Sequence, residues 1–253
     1  SSAAQMCIRD RNKSQGMDVS RLLKVGEPIG IFYGFVGDGT FSTTDDIKNS
    51  AQPKAKPGDI RFKDFSGSDG KPDNKIDDYD RKIIGCAQPD FYGGFTNTFS
   101  YKNFDLNVFI VFSYGNDIYN ANKARLEDMQ GTWNQSRNVL NRWTPEHQNT
   151  PVPRALTAKA TSRSWDYLIE DGSYLRIQNI QLGYTIPEKI LKKTRLIRSA
   201  RVYASLQNFF TFTNYSGYDP EVSLYGQDNV GMGYDYGSYP SVKTVLFGLN
   251  LNF

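Results

Sequence analysis

The chain has 253 residues, a formal net charge of +3, 16 phenylalanines, 16 tyrosines and one histidine, His147. No run reaches the ~18 consecutive apolar residues of a transmembrane helix. This excludes a helical membrane protein but not a membrane β-barrel, whose strands are about half polar. The small, evenly spread charge argues against nucleic acid as a partner. A single histidine in a polar loop argues against a Ser/His/Asp triad or a His-based metal site.

Two cysteines, Cys7 and Cys86, lie far apart in the sequence. Their spacing fits either a disulfide formed in an oxidising compartment or two unpaired thiols. The first 16 residues are polar and charged, and they do not have the pattern of a signal peptide. Because a secreted or membrane protein needs such a signal, we expect the chain to be a fragment or a processed piece.

The first half of the chain contains three apolar segments with strand character. Ile29–Val36 is rich in aromatic residues and is predicted to be a strand end. Phe91–Tyr101 and Phe104–Gly115 are separated by a two-residue turn, and every even-numbered residue from 104 to 114 is apolar. We therefore predict a hairpin of two ~11-residue strands, close to the length that a tilted strand needs to cross a bilayer.

The second half contains three more predicted strands. Ser173–Tyr184 alternates in its second part but breaks phase at Leu175 and Ile177, which predicts a β-bulge. Arg198–Phe212 alternates as well, with apolar residues at positions 200, 202, 204, 206, 210 and 212. The terminal segment Ser241–Phe253 places apolar residues at every odd position from 245 to 253.

The connections between these strands alternate between short and long. A two-residue turn and a short basic segment, residues 187–197, alternate with long loops at about 37–90, 116–172 and 214–240, the second containing a predicted short helix at 121–129. Short turns at one end and long loops at the other are typical of an outer-membrane barrel. About six strands cannot close around a polar lumen, and their open edges would be costly in lipid. We therefore predict an all-β fold: an antiparallel transmembrane β-barrel segment, residues 1–253, that needs further strands. A soluble β-sandwich with long loops is the alternative.

Several stretches together resemble the C-terminal part of SusC/RagA-type TonB-dependent transporters of the bacterial outer membrane. The resemblance rests on residues 25–41 (VGEPIGIFYGFVGDGTF), 57–85, 88–120 (QPDFYGGFTNTFSYKNFDLNVFIVFSYGNDIYN), 171–187 (DGSYLRIQNIQLGYTIP), 200–222 and 236–253 (YGSYPSVKTVLFGLNLNF).

This resemblance implies a barrel of about 22 strands, of which the chain would supply the last six or so, and an N-terminal plug that this chain lacks. It implies import of oligosaccharides or peptides rather than catalysis. The implied partners are a SusD-like surface lipoprotein, the rest of the barrel and plug, the TonB-ExbB-ExbD complex acting on the plug, and the barrel-assembly machinery. A TonB-dependent receptor for a metal chelate or vitamin, a barrel protease and a soluble carbohydrate-binding β module are the alternatives.

The last strand is similar to the C-terminal signal that the barrel-assembly machinery recognises. Gly248, Leu251 and Phe253 have the expected spacing, whereas Leu246 occupies a position that is often polar in that signal.

The acidic stretch of residues 64–80 has closely spaced aspartates with glycine and asparagine, as calcium loops do. Asp69, Asp73, Asp77 and Asp80 are the predicted calcium ligands. Their spacing departs from the EF-hand pattern. The alternative is a solvated turn in which aspartates bind backbone amides.

Aromatic residues in the long loops could stack on sugar or peptide, dock a partner lipoprotein, or simply pack the loops. The aromatic candidates are Tyr215, Tyr218, Tyr225, Tyr234, Tyr236, Tyr239, Trp133, Trp143 and Trp165.

Three residues of the fifth predicted strand, Arg201, Tyr203 and Gln207, are predicted to face the lumen, with plug contact as the alternative.

Overall fold

The structure is a computed structural model that describes residues 7–11, 19–129, 133–156, 164–191, 197–221 and 231–253. None of the helices in these ranges is long and apolar enough to cross a membrane. The chain divides into two compact units, here named the loop unit and the sheet unit. The loop unit comprises Ser1–Gln88, Asn116–Glu170 and Val222–Ser238, and the sheet unit comprises Pro89–Gly115, Asp171–Glu221 and Tyr239–Phe253.

Strands dominate the described residues. In chain order they are β1 (Cys7–Arg11), β2 (Val19–Leu23), β3 (Ile31–Gly34), β4 (Gly37–Thr40), β5 (Ile60–Phe62), β6 (Lys82–Cys86), β7 (Phe91–Tyr101), β8 (Phe104–Tyr114), β9 (Asp117–Asn120), β10 (Ile169–Asp171), β11 (Tyr174–Thr185), β12 (Ser199–Thr213), β13 (Tyr234–Asp235) and β14 (Thr244–Asn252). The two short α-helices are α1 (Ala121–Leu126) and α2 (Glu188–Leu191).

The sheet unit contains one open antiparallel sheet with the strand order β7-β8-β11-β12-β14. These are five of the six strands predicted from the sequence, with ends shifted by at most three residues. β7 and β14 are the edges of the sheet.

The sheet unit also shows the predicted alternation of connections. Lys102, with φ of 54°, and Asn103 form the tight turn between β7 and β8. At that end Tyr184 lies opposite Phe104 and Val202. At the other end, from which both long connections leave, Tyr174 lies opposite Ser113 and Thr213.

The strand end predicted at residues 29–36 is a strand, but counting it with the barrel strands is wrong, because it does not join the five-stranded sheet. β3 has only four residues and pairs with β2 and β6 in a separate sheet of order β1-β2-β3-β6. The physical reason is that this segment does not alternate: Ile31 and Phe32 are consecutive and both fully buried. It therefore packs into a core on both sides instead of separating an apolar from a polar face.

The long connections predicted from the sequence are folded segments with a common core. They contain β4, β5, β6, β9, β10, β13 and α1, the last shorter than the predicted helix. Tyr119 stacks on Tyr234 with ring centroids 5.5 Å apart, and on Phe32 at 6.3 Å. Ala87, Tyr119 and Tyr234 come from three different predicted loops, so tertiary packing joins them. The buried core is Phe32, Ala87, Tyr119, Ala121, Leu168 and Tyr234.

The order of the first sheet decides between the two alternatives for the cysteines. Cys7 lies on β1 and Cys86 on β6, with β2 and β3 between them. Strands are spaced by ~4.8 Å, which places the two Cα atoms about 14 Å apart, whereas a disulfide needs less than ~7 Å. Cys86 is accordingly a free thiol.

Candidate functional site

One face of the five-stranded sheet is apolar from edge to edge. Paired residues on neighbouring strands share a face, and the register places the apolar residues of all five strands together. Gly93 and Asn97 on the edge strand β7 are exceptions, and no charged residue lies on this face. The face consists of Phe91, Phe95, Phe99 and Tyr101; Phe104, Leu106, Val108, Ile110, Phe112 and Tyr114; Leu175, Ile177, Ile180, Leu182 and Tyr184; Ala200, Val202, Ala204, Leu206, Phe210 and Phe212; and Val245, Phe247, Leu249 and Leu251.

This apolar face is uncovered within the described residues. Phe247 is 80% exposed, Tyr101 71% and Phe212 61%. Folded proteins in water rarely leave so large an apolar patch without a partner. The face therefore requires an apolar environment.

A β-bulge keeps β11 in phase with its neighbours, as predicted. The register of β11 shifts between Ile177 and Asn179 against both β8 and β12. Without the extra residue Gln178, either Ile177 or Ile180 would point to the polar face, since side chains alternate along a strand.

The opposite face carries an ion pair that spans three strands. Arg201 on β12 donates from Nε to Asp105 Oδ1 on β8 at 3.0 Å, and its Nη2 donates to the other carboxylate oxygen. The pair passes over Gly183 of the intervening strand β11. A Cβ at Gly183 would lie within 2.5 Å of Asp105 Oδ1 and closer still to Arg201. Glycine is therefore required here because the ion pair occupies the space of a side chain.

The three residues predicted to face a lumen lie together on this polar face. Tyr203 lies opposite Gly248 of β14, two residues along from Arg201, and Gln207 lies opposite Thr244. A Cβ at Gly248 would be less than 3.0 Å from ring atoms of Tyr203. The Tyr203 ring thus covers the glycine, an arrangement that fixes register in sheets.

Gly248 belongs to the predicted assembly signal, and the other two members lie elsewhere on the last strand. Leu251 belongs to the apolar face opposite Ala200, and Phe253 is 69% exposed. Their recognition by an assembly machinery stays a prediction.

A buried charge cluster ties two loop segments to the sheet, and we call it the clasp. Arg176 on β11 donates from Nη2 to Asp219 Oδ1 at 2.5 Å, from Nη1 to Glu221 Oε2 at 2.7 Å and to Ser241 Oγ at 3.0 Å, and from Nε to Thr211 Oγ1 at 3.1 Å. The side chains of Arg176 and Asp219 are each only 3% exposed. The clasp was not predicted from the sequence. Its sequence signal is weak: Asp219 and Glu221 are two of four acidic residues in an aromatic loop without lysine or arginine.

Hydrogen bonding in the clasp lowers the pKa of Asp219. Burial alone would raise the pKa of this carboxyl, but the backbone N–H groups of Glu221 and Ser241 and the guanidinium of Arg176 outweigh it.

This shift predicts acid sensitivity. A carboxyl whose pKa is lower in the folded state stabilises that state above its unfolded pKa, near 3.9, and loses this contribution as the pH falls toward the folded pKa. We expect protection of the Glu221 and Ser241 amides from hydrogen exchange, corrected for intrinsic rates, to be constant from pH 7 to 5. Below about pH 4 it should fall by at most tenfold per pH unit. An Asp219→Asn variant should lack this dependence; an identical acid profile in the variant would contradict the assignment to Asp219.

Three of the predicted aromatic contact residues are buried. Tyr215 is 5% exposed, Tyr234 2% and Trp143 7%. Tyr234 stacks in the loop-unit core, and Trp143 packs against Gly58. Their rings fill the interior, which is the packing role that the sequence left open.

Three other aromatic candidates are accessible. Tyr218 is 82% exposed, Tyr239 84% and Trp133 61%, the last with the Arg125 guanidinium 4.4 Å from its ring centroid. Tyr236 and Trp165 are half-buried. Tyr225 lies outside the described residues.

The structure does not bring the four predicted calcium ligands together. Asp80 is buried and accepts hydrogen bonds from the backbone N–H groups of Phe65, Ser66 and Asp77. Asp69, Asp73 and Asp77 each accept one from the residue two positions later. Among the described residues, no group of three or more acidic, histidine or cysteine side chains could hold a metal ion. The geometry is that of aspartates binding backbone amides in a turn, the alternative given by the sequence.

Residues of the loop unit line an open cavity of about 940 Å³, a size typical of ligand sites. Trp165 and Tyr167 stack in its wall with centroids 4.9 Å apart, and Phe62 meets Trp165 edge-on at 6.1 Å. The Tyr167 hydroxyl donates to Glu127 Oε2 at 2.6 Å. Burial and this hydrogen bond raise the pKa of Tyr167, which stays a neutral donor. Trp165 was a candidate from the sequence, but the cavity was not predicted, because its lining comes from five separate segments of the chain.

No family model matches the sequence, but individual proteins do. The TonB-dependent receptor P3 of Formosa agariphila is 39% identical over 241 residues, which cover 92% of this chain and 23% of the receptor. The TonB-dependent receptor SusC of Bacteroides thetaiotaomicron is 32% identical over 201 residues, covering 78% of this chain and 18% of SusC. The chain thus spans about a quarter or less of the length of the curated relatives that it matches.

A solved structure shares the fold. The RagAB peptide importer in its "open-open" state superposes with a TM-score of 0.71 at 22% identity, over 99% of this chain and 24% of the importer chain. The fold of this chain is therefore similar to that of a segment of the importer chain.

Proposed function

We propose, on the premise that the chain belongs to the SusC/RagA type of TonB-dependent transporters, that its five long strands form part of the wall of an outer-membrane transport barrel. The observation that carries the proposal is the apolar face, which is continuous in register over all five strands, free of charge and largely uncovered. Strands of 9 to 15 residues are long enough for a tilted crossing of the ~30 Å hydrocarbon layer.

The two edges of the sheet support completion by further strands. β7 and β14 each have one unpaired side within this sheet, and unpaired backbone groups cost several kcal/mol in lipid, of the order of 2–7 each. We infer that strands of the same transporter pair with both edges, and that the chain corresponds to the C-terminal part of the barrel. β14 would then offer Gly248, Leu251 and Phe253 to the barrel-assembly machinery.

The function that follows is TonB-dependent import of oligosaccharides or peptides. The polar face would line the lumen, with Arg201, Tyr203 and Gln207 facing the substrate path or the plug. Energy would reach the transporter through a plug contacted by the TonB-ExbB-ExbD complex. The similarity to TonB-dependent receptors and the fold shared with a peptide importer support this assignment, in which the chain catalyses no reaction.

A SusD-like surface lipoprotein is the proposed partner of the long loops. Tyr218, Tyr239 and Trp133 are exposed aromatic rings with polar tips, the residue type that protein interfaces favour. Recovery of no surface lipoprotein with the affinity-tagged transporter from native membranes would contradict this part of the proposal.

Membrane extraction tests the barrel assignment directly. The full polypeptide that carries this chain should stay in the membrane pellet after carbonate and urea washes, be released by detergent, and run at a different mobility when unheated, as folded barrels do. The expected loss of insertion comes from the apolar face: Val108→Asp, Phe247→Asp or Leu249→Asp should each lower the inserted fraction severalfold. A charge on the lipid side is destabilising near the midplane, by about 2–4 kcal/mol for arginine or lysine and by less for aspartate. The matched control is Asn250→Asp on the opposite face of β14, which should insert normally. Release into buffer without detergent would overturn the proposal.

A further inference from the structure

Several polar side chains in the wall of the loop-unit cavity already have hydrogen-bond partners. Arg154 Nε donates to Asp59 Oδ1 at 2.7 Å. Glu127 accepts from the Tyr167 hydroxyl and from the Asn138 amide at 3.0 Å. A ligand that must form many hydrogen bonds, such as a neutral sugar, would have to break these pairs, at a cost for each donor or acceptor left unsatisfied.

The aromatic faces of the cavity are also in use. Trp165 is covered by the stacked Tyr167 ring, and the Gly37 backbone lies so close to it that a Cβ there would be 2.6 Å from the Trp165 ring. The Lys123 ammonium lies 3.7 Å over the Tyr167 ring. Trp165 and Tyr167 therefore present their edges to the cavity, and neither ring offers a sugar an open face on which to stack.

The cavity has an apolar wall and a cationic rim. Its lining includes Ile60, Ile76 and Leu156 together with alanine and proline side chains, and Lys54 and Lys75 are exposed among the lining residues. The other two cations of the described lining are paired, Lys123 with Glu170 at 3.3 Å and Arg154 with Asp59 at 2.7 Å. Lys54 and Lys75 are therefore the cations of this lining that an incoming anion can reach.

We propose that this cavity binds a short peptide, with an apolar side chain in the aliphatic and aromatic interior and the C-terminal carboxylate at Lys54 and Lys75. Burial of one large apolar side chain supplies the favourable free energy, and the two lysines set the orientation. The claim that the bound peptide is the transported substrate rests on the function proposed above. The claim that the cavity binds a peptide does not.

The first test is equilibrium binding to the detergent-solubilised full polypeptide. The probes are the tetrapeptide Ala-Gly-Ala-Phe with a free carboxylate, its C-terminal amide, and maltoheptaose as the sugar control. We expect the acid to bind more tightly than the amide and maltoheptaose not to bind the cavity. Binding of maltoheptaose that the tetrapeptide does not displace, with no peptide binding, would overturn the proposal.

The rim is tested with the double variant Lys54→Gln/Lys75→Gln. Its affinity for the acid should fall about three- to tenfold, the range expected for two exposed charge pairs, while its affinity for the amide should not change. An equal loss for the acid and the amide would contradict the assigned orientation of the carboxylate.

The interior is tested with Ala55→Trp, which fills the cavity from its lining, and with Ala124→Trp on α1 as a second filling variant in case the first disturbs folding. Each should lower peptide affinity at least about tenfold, because the indole occupies the space of the bound side chain. Ala155→Trp, at an exposed alanine outside the lining, is the matched control and should bind normally. Unchanged affinity in both filled variants would place peptide binding elsewhere.

Uptake measured in parallel separates this proposal from the general one. Peptide binding that is lost in the filled variants, in a protein that imports nothing, would contradict only the transport function. Peptide import that persists at the wild-type rate in the filled variants would contradict only the role of the cavity.

Discussion

Replacing Arg176 with methionine is expected to speed hydrogen exchange at the Glu221 and Ser241 backbone amides by roughly a hundredfold or more. Both amides donate to the carboxylate of Asp219, which Arg176 neutralises in a site where the two side chains are 3% exposed. Removing one partner of a buried ion pair leaves the other charge uncompensated and costs about 3–5 kcal/mol. Local opening of the clasp should absorb most of this cost.

The control for this prediction is Arg137→Met, which removes an exposed arginine. It should leave exchange at the same two amides unchanged. A second variant, Asp219→Asn, retains the shape of the side chain and should restore part of the protection lost in Arg176→Met when the two are combined, since the buried charge is then absent. If Arg176→Met exchanges at the wild-type rate, the clasp does not hold these loop segments.

Replacing Gly183 with valine is expected to destabilise the five-stranded sheet by about 1–3 kcal/mol, the usual cost of overpacking. The reason is steric: a Cβ at this position would lie within 2.5 Å of the Asp105 carboxylate, beneath its ion pair with Arg201. The measurement is the denaturant midpoint of the folded protein in detergent, with unheated gel mobility as the indicator of folding.

Removal of the ion pair provides the control. In a protein that already carries Asp105→Ala and Arg201→Ala, adding Gly183→Val should cost markedly less than in the wild type, because the space above the glycine is then open. Such non-additivity is expected of residues in contact. Equal costs in the two backgrounds would show that the glycine is needed for another reason.

The pattern of side-chain alternation predicted the sheet well. The apolar even-numbered positions of β8 and β12 and the odd-numbered positions of β14 lie on one face, as the period of two requires. The break in phase at Leu175 and Ile177 predicted the bulge in β11. These features were predictable because the face on which each side chain lies, and with it the register of the strands, depends on local spacing and on the separation of apolar from polar residues.

The loops show where local patterns do not suffice. Tyr215, Tyr234 and Trp143 are of the residue types that contact ligands but are buried, whereas Tyr218 and Tyr239, close to Tyr215 and Tyr234 in the sequence, are exposed. Because tyrosine suits both buried and exposed positions, residue type alone does not distinguish the buried from the exposed tyrosines.

The sequence by itself determined that the chain is built on long amphipathic strands with one charge-free face, because that property resides in the alternation of neighbouring residues. Only the tertiary structure decided that residues 29–36 belong to a separate sheet, and that the predicted loops share a core and line a cavity. It also decided that Arg176 reaches Asp219 and that Arg201 reaches Asp105 across a glycine. Each of these depends on contacts between residues more than 40 positions apart in the chain, which no local periodicity encodes.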